Sequence, residues 1–300
     1  MMINNPKLGR KYLIVMLAAF LVAATACTTA NRPELTGMTF SSDPLLGKII
    51  WHDLITEDLE SARAFYSGLF GWSFEASEGN RGEDYLLARN GNVIVAGILG
   101  VEMPDDGEKY SRWLPYVSVD DVDSAIARST AAGAAVVATP RNVDFGRVAA
   151  ITDPEGAVIG LARSNIGDPD DQTTAAAPGR AVWTELLAND PAAAAKFYGV
   201  LAGYDLRVVE RRGGQYLFLG SGGKDRVGIF RNPAKGEYQP VWMTAFGVAD
   251  PAAAAAKAEA LGGTIILPVS PELRDGTAAV VTDPSGAVLV LQTWLPAGVK

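Results

Sequence analysis

The sequence predicts an α+β protein of two tandem domains, each made from two βαβββ units whose strands form a curled mixed sheet, a cup with helices outside. Three observations lead there: a long internal repeat, four helices that each start at an aspartate, and a closing hairpin written twice. The stretch WHDLITEDLESARAFYSGLFGW from Trp51 aligns without a gap to WTELLANDPAAAAKFYGVLAGY from Trp183, an offset of 132 residues. The later phrases ITDPEGAVIGLA and VTDPSGAVLVLQ repeat at an offset of 130, so a small net deletion lies between them. A repeat of this length fixes the architecture before any single element is assigned.

Each half is doubled again. Alternating strands run into Asp58, Asp121, Asp190 and Asp250, each placed to cap a helix by accepting from its free N–H groups. Pro191 and Pro251 follow two of these caps, at the first helical position, where a missing N–H costs nothing. Gly71, Gly133, Gly203 and Gly262 close the helices as left-handed C-caps. Short strands separated by RNGN, SGGK, DPEG and DPSG turns complete each unit. Phe65, Tyr66 and Leu69, with Phe197, Tyr198 and Leu201, fall at helical spacing and read as core.

The chain has 300 residues, 48% of them hydrophobic, enough for two domains with real cores. Residues 1–26 have the layout of a signal peptide: a basic start at Lys7, Arg10 and Lys11, an apolar run too short to span a bilayer, and small residues before Cys27. Cys27 is the only cysteine, which rules out an intramolecular disulfide. Its position after Ala24, Thr25 and Ala26 resembles the lipobox of bacterial lipoproteins, which implies lipidation and attachment to the cell envelope. Thr28, rather than Asp, after the cysteine implies the outer membrane in a two-membrane bacterium. Residues 27–45 read as the lipidated cysteine and a flexible tether, 46–164 as the first domain, 165–179 as a linker and 180–297 as the second domain. Loss of the leader would take the net charge from -8 to about -11, a surface that disfavours nucleic acid.

The tandem βαβββ units, the D-x-x-x-A-x-x-F-Y-x-x-x-x-G helix and the DPxGAxxxL hairpin resemble the vicinal oxygen chelate superfamily, which includes glyoxalases, bleomycin resistance proteins and extradiol dioxygenases. The W-x-[DE]-L strand and the FGRVAAITDPEGA ending look like its bacterial glyoxalase-like branch. The resemblance covers nearly all of 47–295, and it implies two cups in tandem whose domains pair within one chain, so that a monomer is expected rather than an obligate oligomer. In metal-using relatives, ligands project inward from positions that correspond here to Trp51, Leu114 and Gly160 in the first domain and Trp183, Met243 and Val290 in the second. None of these six side chains suits a hard divalent cation, so no metal or other cofactor is expected. The single histidine, His52, also argues against extradiol dioxygenase chemistry, whose iron sites take two imidazoles. A carboxylate or Gln-assisted site stays open on this count.

Strand alternation sends His52 to the face opposite Trp51, unless a one-residue bulge swings it into the cup. The same alternation puts Asp53 and Glu185 beside Trp51 and Trp183. An inward acid in an apolar cup can bind a ligand or act as a catalytic acid or base; equally, it can cap a turn or pair with an arginine, with Arg147 and Arg226 as candidates. Tyr116, Ser118 and Gln292 are further inward polar groups suited to orienting a ligand, with Leu114 and Met243 as apolar lining. Three function classes follow: a membrane-anchored protein that binds or sequesters a small, partly apolar molecule; a glyoxalase-type lyase or isomerase, either metal-independent and using Asp53 or Glu185 or with non-standard metal ligands; and an envelope scaffold with vestigial cups.

Overall fold

The computed structural model describes residues 38–77, 84–102, 111–171, 178–211, 214–233 and 238–294. The leader and Cys27 lie outside the described residues. The first half runs β1 (Ile49–Thr56), α1 (Leu59–Phe70), β2 (Ser73–Ala76), β3 (Tyr85–Asn90), β4 (Val93–Gly100), then β5 (Arg112–Ser118), α2 (Val122–Ala131), β6 (Ala135–Val143), β7 (Gly146–Thr152) and β8 (Val158–Ser164). The second half repeats it as β9 (Ala181–Ala188), α3 (Pro191–Ala202), β10 (Asp205–Arg211), β11 (Gly214–Ser221), β12 (Lys224–Arg231), β13 (Val241–Val248), α4 (Pro251–Ala260), β14 (Thr264–Leu267), β15 (Ala278–Thr282) and β16 (Val288–Thr293). The two sheets have matching orders, β2-β3-β4-β1-β5-β8-β7-β6 and β10-β11-β12-β9-β13-β16-β15-β14. Antiparallel pairs β1/β5 and β9/β13 join two units into each cup.

All four aspartates cap their helices as expected, with side chains accepting from Ser61, Ser124, Ala192 and Ala193, and Ala252 and Ala253. Each such cap is worth about 1 kcal/mol. Gly71 and Gly203 are left-handed caps at φ 73° and 68°, whereas Gly133 and Gly262 take positive φ one residue beyond caps at Ala132 and Leu261.

The helices lie on the convex side of each sheet, and there they meet the other domain. One core joins the back of the second unit (Val117, Ile151, Leu161) to the third (Phe197, Tyr198, Leu201); a second core joins the first unit (Phe65, Tyr66) to the fourth (Ala258, Leu289). Two equivalent polar chains cross these cores. The Trp242 indole N–H donates to the Tyr198 hydroxyl at 2.9 Å, which donates to Asp153 Oδ2 at 3.0 Å. Likewise Trp113 donates to Tyr66 at 3.1 Å, and Tyr66 to Asp283 Oδ2 at 3.2 Å. The other oxygen of each aspartate accepts from its own turn, at Ala157 N and Ala287 N, both at 2.9 Å. The repeated DPxG turn is thus a lock between domains: each phenol supplies a donor to a buried carboxylate of the opposite half, an arrangement whose loss costs about 1–3 kcal/mol.

His52 sits where the halves meet. It is buried, and its Nε2 lies 3.1 Å from Oγ1 of Thr184, its own counterpart in the repeat. Burial pushes its pKa down from 6.5 to about 4. The unfolded chain therefore takes up this proton below pH 6.5 and the folded chain resists until about pH 4. Stability from this site is full above pH 6.5 and falls by about 3 kcal/mol as pH drops through that window. Asp283, which burial pushes up to about 6, works in the opposite direction, because its charged form is disfavoured in the fold. Comparing His52→Gln with wild type in urea titrations from pH 7 to 4 isolates the histidine. The expected result is a gap that narrows or reverses on acidification; a constant gap would contradict it.

Candidate ligand-binding cups

A bulge shapes the first cup. The β1/β5 register shifts between Ile49 and Trp51, so Ile50 is the extra residue, and Ile50 and Trp51 both line the cavity. Because the bulge precedes Trp51, His52 still points away from the cup, into the domain interface, while Asp53 returns to the cup floor.

Asp53 is 7% exposed and lies between Gly97 of β4 and Leu114 of β5. Its Oδ1 accepts from the Trp51 indole at 2.7 Å and the Tyr85 hydroxyl at 2.8 Å. Gly97 makes this possible by leaving space: a Cβ there would sit 2.0 Å from the Tyr85 oxygen and 2.2 Å from Asp53 Oδ1. Tyr116 adds a third polar group, hydrogen-bonded to Asp53; burial first, and the Asp53 charge next, hold its phenol well above the ordinary range, so it stays a neutral donor. Its ring occupies the space over Gly160, where a Cβ would come within 2.3 Å. Above this floor lies a cavity of about 160 Å³, walled by apolar side chains such as Phe40, Leu99, Phe145 and Val148, with Arg141 also among its lining residues.

Phe40 belongs to the segment read from sequence as a flexible tether, and from Met38 onward that reading needs correction. Phe40 bridges to Pro169 of the linker, Ser41 N donates to Asp168 O at 2.9 Å, and Asp170 N to Thr39 O at 2.8 Å. The two connecting segments clasp each other into a strap, and Met38, Phe40, Ile166 and Pro169 become a wall of the first cup. Ser118, expected to contact a ligand, is fully buried and donates to Asp168 Oδ2 at 2.6 Å; it fastens the strap instead. The strap covers the end of β5 before Ser118 can reach the cavity.

The second cup keeps the same constellation but fills it. Trp183 donates to the Tyr216 hydroxyl at 2.8 Å, and Tyr216 donates to Glu185 Oε2 at 2.7 Å. Gly228 again leaves room, since a Cβ would sit 1.8 Å from the Tyr216 oxygen. Arg274 then pairs with Glu185 Oε1 and donates to Gln292 Oε1 at 2.6 Å, while Gln292 donates back to the Thr277 carbonyl at 3.0 Å. Arg274 and Asp275 hold φ of 49° and 54°, a left-handed pair without glycine that costs on the order of 1–3 kcal/mol per residue. The ion pair and its hydrogen bonds hold this turn.

Several expectations are revised here. Glu185 does pair with an arginine, but with Arg274; Arg226 is committed to Asp171 at 2.6 Å and Arg147 to Asp123 at 2.6 Å. Gln292 contacts Arg274 and the turn rather than open space. Leu114 and Met243 pack inside the sheet walls with Tyr116 and with Val280 and Val290, and neither lines the cavity. Trp51, Asp53 and Tyr116 do line it. Sequence reasoning missed Tyr85, Tyr216, Arg141 and Arg274. The matched Y-L pairs, DYLLARNG and QYLFLGSGG, followed by AGIL and VGIF, carried a usable signal for the two tyrosines and their glycines.

The donor set does not fit a metal. Asp53 is flanked on the cup face by Gly97, Leu114 and Tyr116, and its bonded oxygen already accepts from two N–H or O–H donors. Among the described residues, no three His, Cys, Asp or Glu side chains come together in a way that could hold a cation.

Paired βαβββ units curled around an acid-floored cavity define a vicinal-oxygen-chelate protein. The chain belongs to the glyoxalase/bleomycin resistance protein/dioxygenase superfamily, whose family model matches residues 48–161 and 180–291. It is 33% identical over 244 residues to "Putative glyoxylase CFP32" of Mycobacterium bovis, covering 79% of this chain and 91% of that protein. It is 27% identical over 266 residues to the anthracycline biosynthesis protein DnrV of Streptomyces peucetius, covering 84% and 96%. In fold it is similar to the Mn(II)-bound glyoxalase of Novosphingobium aromaticivorans, with a TM-score of 0.53 at 14% identity and coverage of 83% and 82%.

Replacing Arg274 with Met leaves Glu185, 5% exposed, as a buried charge without its cation. Since the arginine is partly solvated, the expected loss is on the order of 2–3 kcal/mol by urea denaturation, with much of it restored in the Arg274→Met, Glu185→Gln double variant. Additive losses in the double variant would show that the pair is not coupled.

Proposed function

We propose that this is a lipid-anchored envelope protein that binds a small, partly apolar molecule in its first cup without a metal. The observation that carries the reading is the Asp53 floor: a buried carboxylate satisfied by indole and phenol donors, under a cavity with apolar walls and, among the described residues, with no group of three His, Cys, Asp or Glu that could hold a cation. Such a site orients a polar edge of a ligand and buries the rest. The chain acts as a monomer in this reading, because each domain already covers the convex face of the other.

A second reading, favoured by the glyoxylase name of the other relative, is a metal-independent lyase or isomerase in which the Asp53 carboxylate takes a proton from one ligand carbon and returns it to another, with the Tyr85 phenol donating a hydrogen bond to it. In the second cup Arg274 occupies Glu185, which is 5% exposed.

Native mass spectrometry of the protein purified from its own host without chelators tests the metal question. The expected spectrum shows no stoichiometric divalent metal and an organic adduct; a stoichiometric metal would overturn the reading. For the anchor, Cys27→Ala should move the protein from the membrane to the soluble fraction, and unchanged membrane association would refute lipidation at that residue.

A further inference from the structure

Strands β2, β6, β10 and β14 form the outer edges of the two sheets, and among the described residues three of them are blunted. β2 and β14 have four residues each, Pro268 follows β14, and β6 carries Pro140 and two shifts of register against β7. Short length, proline and bulges all hinder the addition of another strand to an open edge. β10 has none of these. Its seven residues, Asp205–Arg211, pair with β11 without a register shift, and six of the seven are exposed. Leu206 and Val208 are 55% and 47% exposed, although they stand opposite Leu219 and Leu217, which are buried in the convex core. Asp205, Arg207, Val209 and Arg211 face the concave side, where Arg207 lies 4.1 Å from the Phe218 ring centre and Arg211 4.9 Å from that of Tyr216.

We propose that β10 pairs antiparallel with β10 of a second copy of this chain, about a twofold axis through Val208, so that the second sheets of two molecules become continuous. Residues opposite each other in an antiparallel pair share a face, so a twofold register has to centre on a residue. Centred on Arg207, it sets that arginine against itself. Centred on Val209, it sets Arg207 against the partner's Arg211. The register centred on Val208 pairs all seven residues and places Asp205 opposite the partner's Arg211, twice over by symmetry. Those two side chains are the charges of β10 without a hydrogen bond or ion pair among the described residues, whereas Arg207 pairs with Asp225 and Glu210 accepts from Gln215. On the convex side the exposed Leu206 and Val208 of both copies come together. The contact is closed, because each copy uses the same edge, and it is small beside the roughly 1,200 Å² of a stable interface, so the association is reversible. The first cup lies in the other sheet and stays whole in each copy.

Sedimentation equilibrium of the full chain over rising concentration, with Cys27→Ala throughout so that no native thiol is present, tests the pairing. A monomer–dimer equilibrium is expected. Arg211→Asp should weaken it about tenfold, because two attractions become two repulsions, and adding Asp205→Arg should restore it. Under mild oxidation Val208→Cys should give a disulfide-linked dimer, since each thiol faces its own copy, while Leu206→Cys, opposite the partner's Glu210, should stay uncoupled. A monomer at every concentration, a double variant weaker than Arg211→Asp alone, or cross-linking at 206 in place of 208 would each overturn the proposal.

Discussion

The rest of the structure depends on one reciprocal contact, the hydrogen bond from a helix tyrosine of each half to the aspartate of the other half's DPxG turn. Tyr66 reaches Asp283 and Tyr198 reaches Asp153, each phenol in turn accepting from a tryptophan of its own half. A buried carboxylate needs donors, and the turn itself fills only one of its oxygens. The remaining oxygen fixes where the partner helix must lie. Because the tyrosine helix of the first unit meets the fourth and that of the third meets the second, the convex faces have to close on each other, which leaves both cups facing outward. Glu155 reinforces one side only, accepting from Asn189 N and Asp190 N at the start of the partner helix; Ser285 stands in the matching turn and makes the lock unequal.

That inequality extends to the cups. Both retain the Trp, acid, Tyr and Gly arrangement, and in both the glycine is there for space, since its φ is ordinary. The first cup places Tyr116 over Gly160, and the second pairs Ala245 with Val290, so bulk moves between neighbouring strands while total volume changes little. What differs is the acid's company. Asp53 is short and keeps its donors at the floor, leaving the cavity above it open. Glu185 is one methylene longer and reaches Arg274, which crosses the cup and ties Gln292 and Thr277 into a single network. A satisfied polar network of this kind rigidifies the site it fills.

Most of the fold was legible in the sequence because its signals are local and repeated. An aspartate before a helix and a glycine after it act through their own backbones, and four copies of that pattern, two of them with a proline at the first position, leave little room for another topology. The inward face of β1 and β9 was legible for the same reason, and so was the outward face of His52, since the bulge at Ile50 precedes it. The partners of the inward acids were not. Arg147 and Arg226 were natural candidates by closeness to matched motifs, but pairing depends on loop geometry that has no period. Arg274 is aimed by two consecutive left-handed non-glycine residues, where the Asp275-Gly276 pair announces a turn and not the direction of the side chain before it, and Ser118 is diverted by a linker whose composition marks it only as irregular. Alternation gives the face on which a side chain lies and not what covers it.

The strap offers a physical reason for the division between the cups. An acid at the floor of a concave sheet has to be shielded from one side, and the two domains solve this from different parts of the chain. The first is covered by segments outside the repeat, Met38 to Phe40 and Ile166 to Pro169, held at their base by Asp168, which accepts from Leu45 N at 2.7 Å and from Ser118. Lys48, hydrogen-bonded to the Asp170 carbonyl at 2.9 Å and paired with Asp171 at 3.1 Å, anchors the same clasp. Because that cover lies at the mouth, the interior beneath it stays available. Among the described residues, the second domain's cover comes from its own β14 to β15 connection, and a cover built inside the cup puts a side chain on the acid. Open space in the first cup and a polar network in the second therefore follow from where the covering chain comes from, with the same sheet beneath both.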